Sequence, residues 1–202
     1  MDNYFSMASD HPVLGFVGVN GERFVHGCFR PEISKSASEA RLYRVHEFTK
    51  VEMFVVCAEG EGDRELEYLL STQKDIWRAL GLHCRVLSMP TEELGASAYR
   101  KYDIEAWMPG RGLFGEVSST SNCTDYQSRR LGIRYRGKDG RLRFAHTCNG
   151  TALASTRALI ALLETFQDEK RKGLYYIAGM LPAAGRNTGI MFDPIDELFP
   201  LI

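Results

Sequence analysis

Cys28-Phe-Arg-Pro-Glu32, followed after a short interval by Arg44-Val-His-Glu-Phe48-Thr-Lys-Val-Glu52-Met-Phe54, decides how this chain folds. The two stretches predict a pair of strands joined by a polar loop. Period-two alternation places Arg30 and Glu32 on one face of the first strand, and Phe48, Lys50, Glu52 and Phe54 on one face of the second. The other face of the second strand carries Val51, Met53, Val55 and Cys57, a wall to be buried. The connection over residues 33–41 is Ser, Ala and charge, which predicts a mobile loop. An arginine fork suits a phosphate or a carboxylate, an aromatic ring stacks on a flat base, and a carboxylate holds an ammonium. One surface of this kind has the groups to hold a nucleotide beside an amino acid.

Working outward, residues 63–80 place Leu66, Leu69, Leu70, Ile76, Trp77 and Leu80 at helical spacing, with Gly81 as the stop. Residues 84–89, 103–108 and 113–119 read as strands, and 120–130 as a short helix. The Gly-Lys-Asp-Gly sequence ending at Gly140 is a hairpin signal between 133–136 and 142–146. Residues 151–167 predict the longest helix, capped by Thr151, with Leu153, Leu159, Ile160, Leu163 and Phe166 on its buried side. The predicted fold class is therefore α+β, an antiparallel sheet flanked by helices. Residues 1–21 carry little periodicity, 22–172 form the predicted core, and 173–202 form a tail rich in Gly, Pro and Ala.

The chain has 202 residues and a net charge of −1, so no global field draws it onto RNA, and any grip on RNA has to be local. No apolar run reaches the length of a membrane span. The five cysteines are scattered, without Cys-x-x-Cys spacing, and read as buried free thiols of a reducing compartment. The histidines show no spacing with them that would make a zinc site. Glu116 and Ser119 offer hard oxygens suited to Mg²⁺, but regular alternation puts them on opposite faces. For both to reach one ion, the strand has to bend at Ser118. Asn122 is a further polar candidate for that pocket.

The hairpin resembles the second signature motif of class II aminoacyl-tRNA synthetases, in the form found in seryl-tRNA synthetases. That form is Phe-Arg-x-Glu, a loop, then Arg-Val-His-x-Phe-x-Lys-x-Glu. Three further stretches resemble the same family in the same order. They are Leu94-Gly-Ala-Ser-Ala-Tyr-Arg-Lys-Tyr-Asp103-Ile-Glu-Ala-Trp107, then Gly115-Glu-Val-Ser-Ser119-Thr-Ser-Asn122-Cys-Thr-Asp-Tyr-Gln-Ser-Arg129-Arg, then Asn149-Gly-Thr151-Ala-Leu-Ala-Ser-Thr-Arg157.

The resemblance implies activation of L-serine by ATP with Mg²⁺, then transfer to tRNA(Ser). Arg30 would clamp the α-phosphate and the serine carboxylate; read from its pattern alone it is more readily a surface arginine paired with Glu32. The resemblance also implies that Glu32 and the backbone of Val45 read the adenine, on which Phe48 stacks. Arg44 and Arg157 would hold the outer phosphates, Glu116 and Ser119 the metal, and Glu52 with Thr151 the serine. Asp103, Glu105, Arg129 and Arg130 read as a supporting polar network.

Full-length relatives have an N-terminal coiled coil that grips tRNA, a first motif that builds a homodimer, and a loop that closes on serine. The expectation from this sequence is that all three are missing, so the catalytic core is incomplete at its N-terminus and impaired alone. Pro31 departs from the family pattern and, lacking an N–H, has to face an edge or a bulge. The alternative expectation is a synthetase-derived protein that binds nucleotide or protein partners without ligase activity. The motifs look most like the mitochondrial and bacterial branch, which implies the mitochondrial matrix first and the cytoplasm second.

Overall fold

The computed structural model describes residues 22–31 and 43–167. Expectations for residues 1–21, for Glu32, for the 33–41 loop and for the 173–202 tail lie outside the described residues. The elements run β1 (Glu22–Phe29), β2 (Glu47–Cys57), α1 (Gly62–Ala79), β3 (Cys84–Ser88), a 3₁₀ turn (Thr91–Glu93), β4 (Arg100–Met108) and β5 (Leu113–Asn122). They continue with α2 (Tyr126–Leu131), β6 (Arg134–Arg136), β7 (Leu142–Phe144), β8 (His146–Ala154) and α3 (Ser155–Thr165). One antiparallel sheet takes the order β1-β2-β8-β5-β4-β3, and β6 and β7 form a separate two-stranded ribbon.

Helix α1 forms because its apolar positions fall on one stripe, with Asp63 and Glu65 in the first turn to oppose the helix dipole. It ends where the sequence places the stop. Gly81 adopts φ +70°, and the Leu82 N–H returns to the Trp77 carbonyl at 3.2 Å, a left-handed glycine cap. Leu70 and Trp77 of α1 join Ile104, Ala106 and Met108 of β4 in the main core, which Ala158 and Ala161 of α3 complete. Both helices therefore cover one face of the sheet. Leu66 and Leu69 make a second cluster with Met53 and Cys148, beneath the apolar back of β2.

Three expectations are corrected. Residues 151–154 belong to β8, and α3 begins only at Ser155, so Thr151 caps no helix and the longest helix among the described residues is α1. The β-branched Thr151 suits a strand, and the sheet holds it opposite Glu52. The buried stripe of α3 is Ala158 and Ala161, while Leu159 is exposed: the small side chains let the helix approach the sheet closely. Likewise β5 continues to Asn122, and α2 starts at Tyr126 without a serine cap. Local signals for a helix start lose to strand pairing, with β2 at residues 151–154 and with β4 and β8 at residues 120–122.

The strand order hides two irregularities. Glu105 pairs with Glu116 and Ile104 with Ser118, leaving Val117 as an extra residue in β5. Val51 pairs with Leu153 and Glu52 with Thr151, leaving Ala152 extra in β8. The β5–β8 ladder runs from Asn122–Cys148 only to Thr120–Gly150, so it stops where Ser119 would meet Thr151. From α1 below, the fully buried Gln73 fills that break. Its amide nitrogen donates to the carbonyls of Ser119 (2.9 Å) and Thr151 (2.8 Å), and the Ser118 hydroxyl also donates to Thr151. Replacing Gln73 with leucine would leave buried carbonyls unpaired. We expect Gln73→Leu to lower unfolding free energy by about 2–4 kcal/mol in urea titrations. A loss below about 0.5 kcal/mol would show that the break needs no such support.

Candidate active site

Strands β2, β5 and β8, with Arg30 just past β1, residues 43–45 and the first turn of α3, line a cavity of about 250 Å³. The β1–β2 ladder is regular, so Phe48, Lys50 and Glu52 share one face, as alternation predicts. Strand β1 ends at Phe29, but the Arg30 N–H still pairs with the His46 carbonyl at 2.9 Å. That bond carries Arg30 to the cavity rim, where its guanidinium lies 5.2 Å from the centre of the Phe48 ring. Pro31 falls just past the strand end, so its missing N–H costs the ladder nothing.

The two bulges decide what else faces the cavity. Opposed residues of a ladder share a side, so Asp103–Ser119 and Glu105–Glu116 put Ser119 and Glu116 on the same face. The bend expected at Ser118 is supplied by the extra residue Val117. In β8 the extra Ala152 does the same for Thr151 and Ala154, opposite Glu52 and Lys50. Arg30, Arg44, Val45, Phe48, Glu52, Glu116, Ser119, Thr151 and Arg157 all line the one cavity. Asn122 does not. Its side chain is buried beneath the sheet, bonded to Asp63 at 3.2 Å and to the Thr124 N–H at 2.9 Å, where it supports the start of α1. The supporting network is local: Lys101 holds Asp103, Arg85 holds Glu105, and Arg129 holds Asp125.

The cavity has two chemically distinct ends. At one, the Glu52 carboxylate receives Lys50 at 2.9 Å, the Thr151 hydroxyl at 3.0 Å and the Asn149 amide at 3.4 Å, with its side chain only 13% exposed. A carboxylate so enclosed is not a solvated edge group, and with about four lone-pair sites it has room to accept a further cationic or hydroxylic donor. At the other end Arg157 meets Glu116 at 2.9 Å, and its guanidinium lies 5.0 Å from the Tyr43 ring. The Tyr43 hydroxyl donates to the Glu116 carbonyl at 2.6 Å. Arg30, Arg44, Lys50 and Arg157 outnumber Glu52 and Glu116 in the lining, so the cavity favours an anion despite the neutral chain.

The family described as tRNA synthetase class II core domain (G, H, P, S and T) matches residues 24–166. The chain belongs to this family. Among its relatives is the mitochondrial serine–tRNA ligase of Bos taurus, 58% identical over 144 residues, which are 70% of this chain and 28% of that protein. The serine–tRNA ligase of Rubrobacter xylanophilus is 56% identical over 143 residues, 70% of this chain and 34% of that one. The crystal structure of seryl-tRNA synthetase from Pyrococcus horikoshii complexed with ATP matches with a TM-score of 0.70 and 42% identity. That match covers 74% of this chain and 34% of the other. The chain thus spans about a third of the length of the proteins it matches.

As a class II core, the chain shows site residues that sequence reasoning missed. Lys50 carried the signal, two residues before Glu52 on the same face; Asn149 carried it two residues before Thr151. Tyr43 carried none, because its place depends on Glu116, distant in sequence. Burial, opposed in part by Arg157 and reinforced by Glu116, pushes the Tyr43 phenol from its ordinary value near 10 up to about 12. A phenol raised on folding contributes stability that is complete below pH 10 and lost as pH rises towards 12. The stability advantage of the native protein over Tyr43→Phe should therefore shrink between those pH values in thermal melts. A constant difference would place Tyr43 in solvent.

Proposed function

We propose that this chain is the catalytic core of a serine–tRNA ligase, which joins L-serine to the α-phosphate of ATP and passes the seryl group to tRNA(Ser). The observation that carries this reading is one cavity that brings together Arg30 over Phe48, Glu52 held by Thr151 and Lys50, and the Arg157–Glu116 pair. In the first step the serine carboxylate attacks the α-phosphorus, and the bond to pyrophosphate breaks. Both reactants are anionic there, so the protein has to hold them together and offset the charge that gathers.

Arg30 takes the α-phosphate and the serine carboxylate. Phe48 stacks on adenine, the Val45 backbone and Glu32 read its edge, and Arg44 and Arg157 take the outer phosphates. Glu52 receives the serine ammonium, and the Thr151 hydroxyl, already bonded to Glu52, stands where a small alcohol finds a polar partner. Glu116 and Ser119 fit Mg²⁺, a hard ion that keeps several waters and accepts one or two protein oxygens beside phosphate. When bound, the ion neutralises phosphate charge. The same residues would serve ATP binding in a protein without ligase activity, so seryl transfer is what separates the two readings. The homodimer of full-length relatives is part of this proposal. Relatives that include both mitochondrial and bacterial enzymes support the mitochondrial matrix as the first compartment and the cytoplasm as the second.

Serine-dependent pyrophosphate exchange tests the first step. We expect Arg157→Ala to raise its barrier by about 2–4 kcal/mol, the scale of one preorganised charge contact. Unchanged exchange would remove Arg157 from the mechanism. Glu52→Gln should raise the KM for serine about tenfold or more, with a smaller effect on the KM for ATP. A protein that fails to bind a non-hydrolysable seryl-adenylate analogue would overturn the reading altogether.

A further inference from the structure

The function proposed above leaves unused the most concentrated charge in the molecule. Residues 129–143 carry seven basic side chains and one carboxylate, Asp139, in a chain whose net charge is −1. They span the end of α2 and the β6–β7 ribbon, and every one of the seven is exposed. Arg129 is paired with Asp125, and Arg143 with Asp139 and Glu59. Arg130, Arg134, Arg136 and Lys138 have no carboxylate partner among the described residues.

These cations are held in place. The Arg130 guanidinium lies 3.5 Å from the centre of the Tyr126 ring, and those of Arg129 and Arg134 lie 5.0 and 4.7 Å from that of Phe144. Arg136 donates to the Gly140 carbonyl at 2.8 Å, which fixes it above the turn. Guanidinium planes stacked on rings lose little further freedom when they meet an anion, and keep their N–H edges available. In the ladder Arg134 pairs with Phe144 and Arg136 with Leu142, so both arginines share a side, about 6.7 Å apart. That interval is comparable with the separation of successive phosphates along a nucleic-acid strand.

We propose that this ribbon, with the end of α2, is a docking surface for the phosphate backbone of RNA. Its location connects it to the cavity. The ribbon leads through Ala145 into β8, and β8 carries the chain from His146 to Thr151, about 17 Å on. RNA lying on the ribbon therefore lies off the amino-acid end of the cavity, the end that a seryl acceptor has to reach. This last link rests on the proposed ligase function; the docking surface itself does not. Arginine outnumbers lysine six to one over residues 129–143, which favours bidentate phosphate contacts. A ribbon only two strands wide presents a narrow row of cations, which matches one phosphate backbone better than a planar bilayer. Contacts of this kind carry no base sequence preference and weaken with salt.

The test uses the 202-residue chain and its Arg134→Glu/Arg136→Glu variant. Binding of a fluorescent RNA stem-loop is measured by anisotropy across a salt series, and binding of vesicles containing phosphatidylserine by co-sedimentation. The variant is expected to bind RNA at least tenfold more weakly, with the slope of log K against log salt reduced by about two. Serine-dependent pyrophosphate exchange should be unchanged, because these residues lie outside the cavity. Undiminished RNA binding with an unaltered salt slope would overturn the proposal, as would loss of vesicle binding alone. Arg134→Gln/Arg136→Gln replaces the charge reversal if that variant melts early, and about half the effect is then expected. RNA binding that depends on these arginines in a chain without exchange would leave the surface standing and end the ligase reading.

Discussion

Gln73 lies with no exposed surface beneath the place where β5 and β8 part company, and the working face of the sheet depends on that contact. Two adjacent strands each carry one residue too many, Val117 and Ala152, and each bulge turns the residues beyond it to a new face. A sheet broken in this way exposes carbonyls in its own interior. The amide of Gln73 and the hydroxyl of Ser118 satisfy them from the side of the core. The same departure brings Glu116 and Ser119 to one wall of the cavity and Thr151 to the next. A flat, regular sheet of this strand order would turn half of those side chains into the hydrophobic layer under α1 and α3.

The parts of the fold legible in the sequence are those whose periodicity is local. Helix α1 repeats its apolar positions on one stripe, and Gly81 closes it with a left-handed cap. The β1–β2 pair alternates without a break, and the Gly140 turn marks the ribbon. The misread segments have local signals that tertiary pairing overrides. Thr151 to Ala154 looks like the first turn of a helix because Ala and Leu are good helix formers, yet β2 on one side holds it as strand. Residues 120–122 carry the serine and asparagine of a helix start, yet β4 and β8 hold them on both sides.

At the site, alternation alone brings Phe48 and Glu52 to one face, because β1 and β2 are regular. Bulges are invisible to a period-two reading, so the common face of Glu116 and Ser119 was legible only as a requirement that the strand bend. Asn122 shows the opposite error. Its polarity fits a pocket, but it lies past the bulge with the parity of the buried face, where it braces the start of α1. The partners of Glu52 were partly within reach: Lys50 shares its strand face and Asn149 shares that of Thr151, while the β2–β8 register brings the two faces together.

The pair of Arg157 and Glu116 bears on how such a cavity handles charge. Both side chains are more than half withdrawn from water, at 20% and 36% exposure, and they meet at 2.9 Å. An unpaired arginine at that depth would pay for desolvation while the cavity is empty. Glu116 removes the cost, and Tyr43, with its ring near Arg157 and its hydroxyl on the Glu116 backbone, sets the distance between the two. On the proposed function, ATP arrives as an anion with a divalent cation. Arg157 then gains phosphate oxygens as Glu116 gains the metal, so each group exchanges one opposite charge for another. The local charge is balanced before and after binding. The exchange leaves no buried ion without a partner at either stage, which is why one carboxylate and one arginine, held in contact beforehand, can serve two ligands of opposite sign.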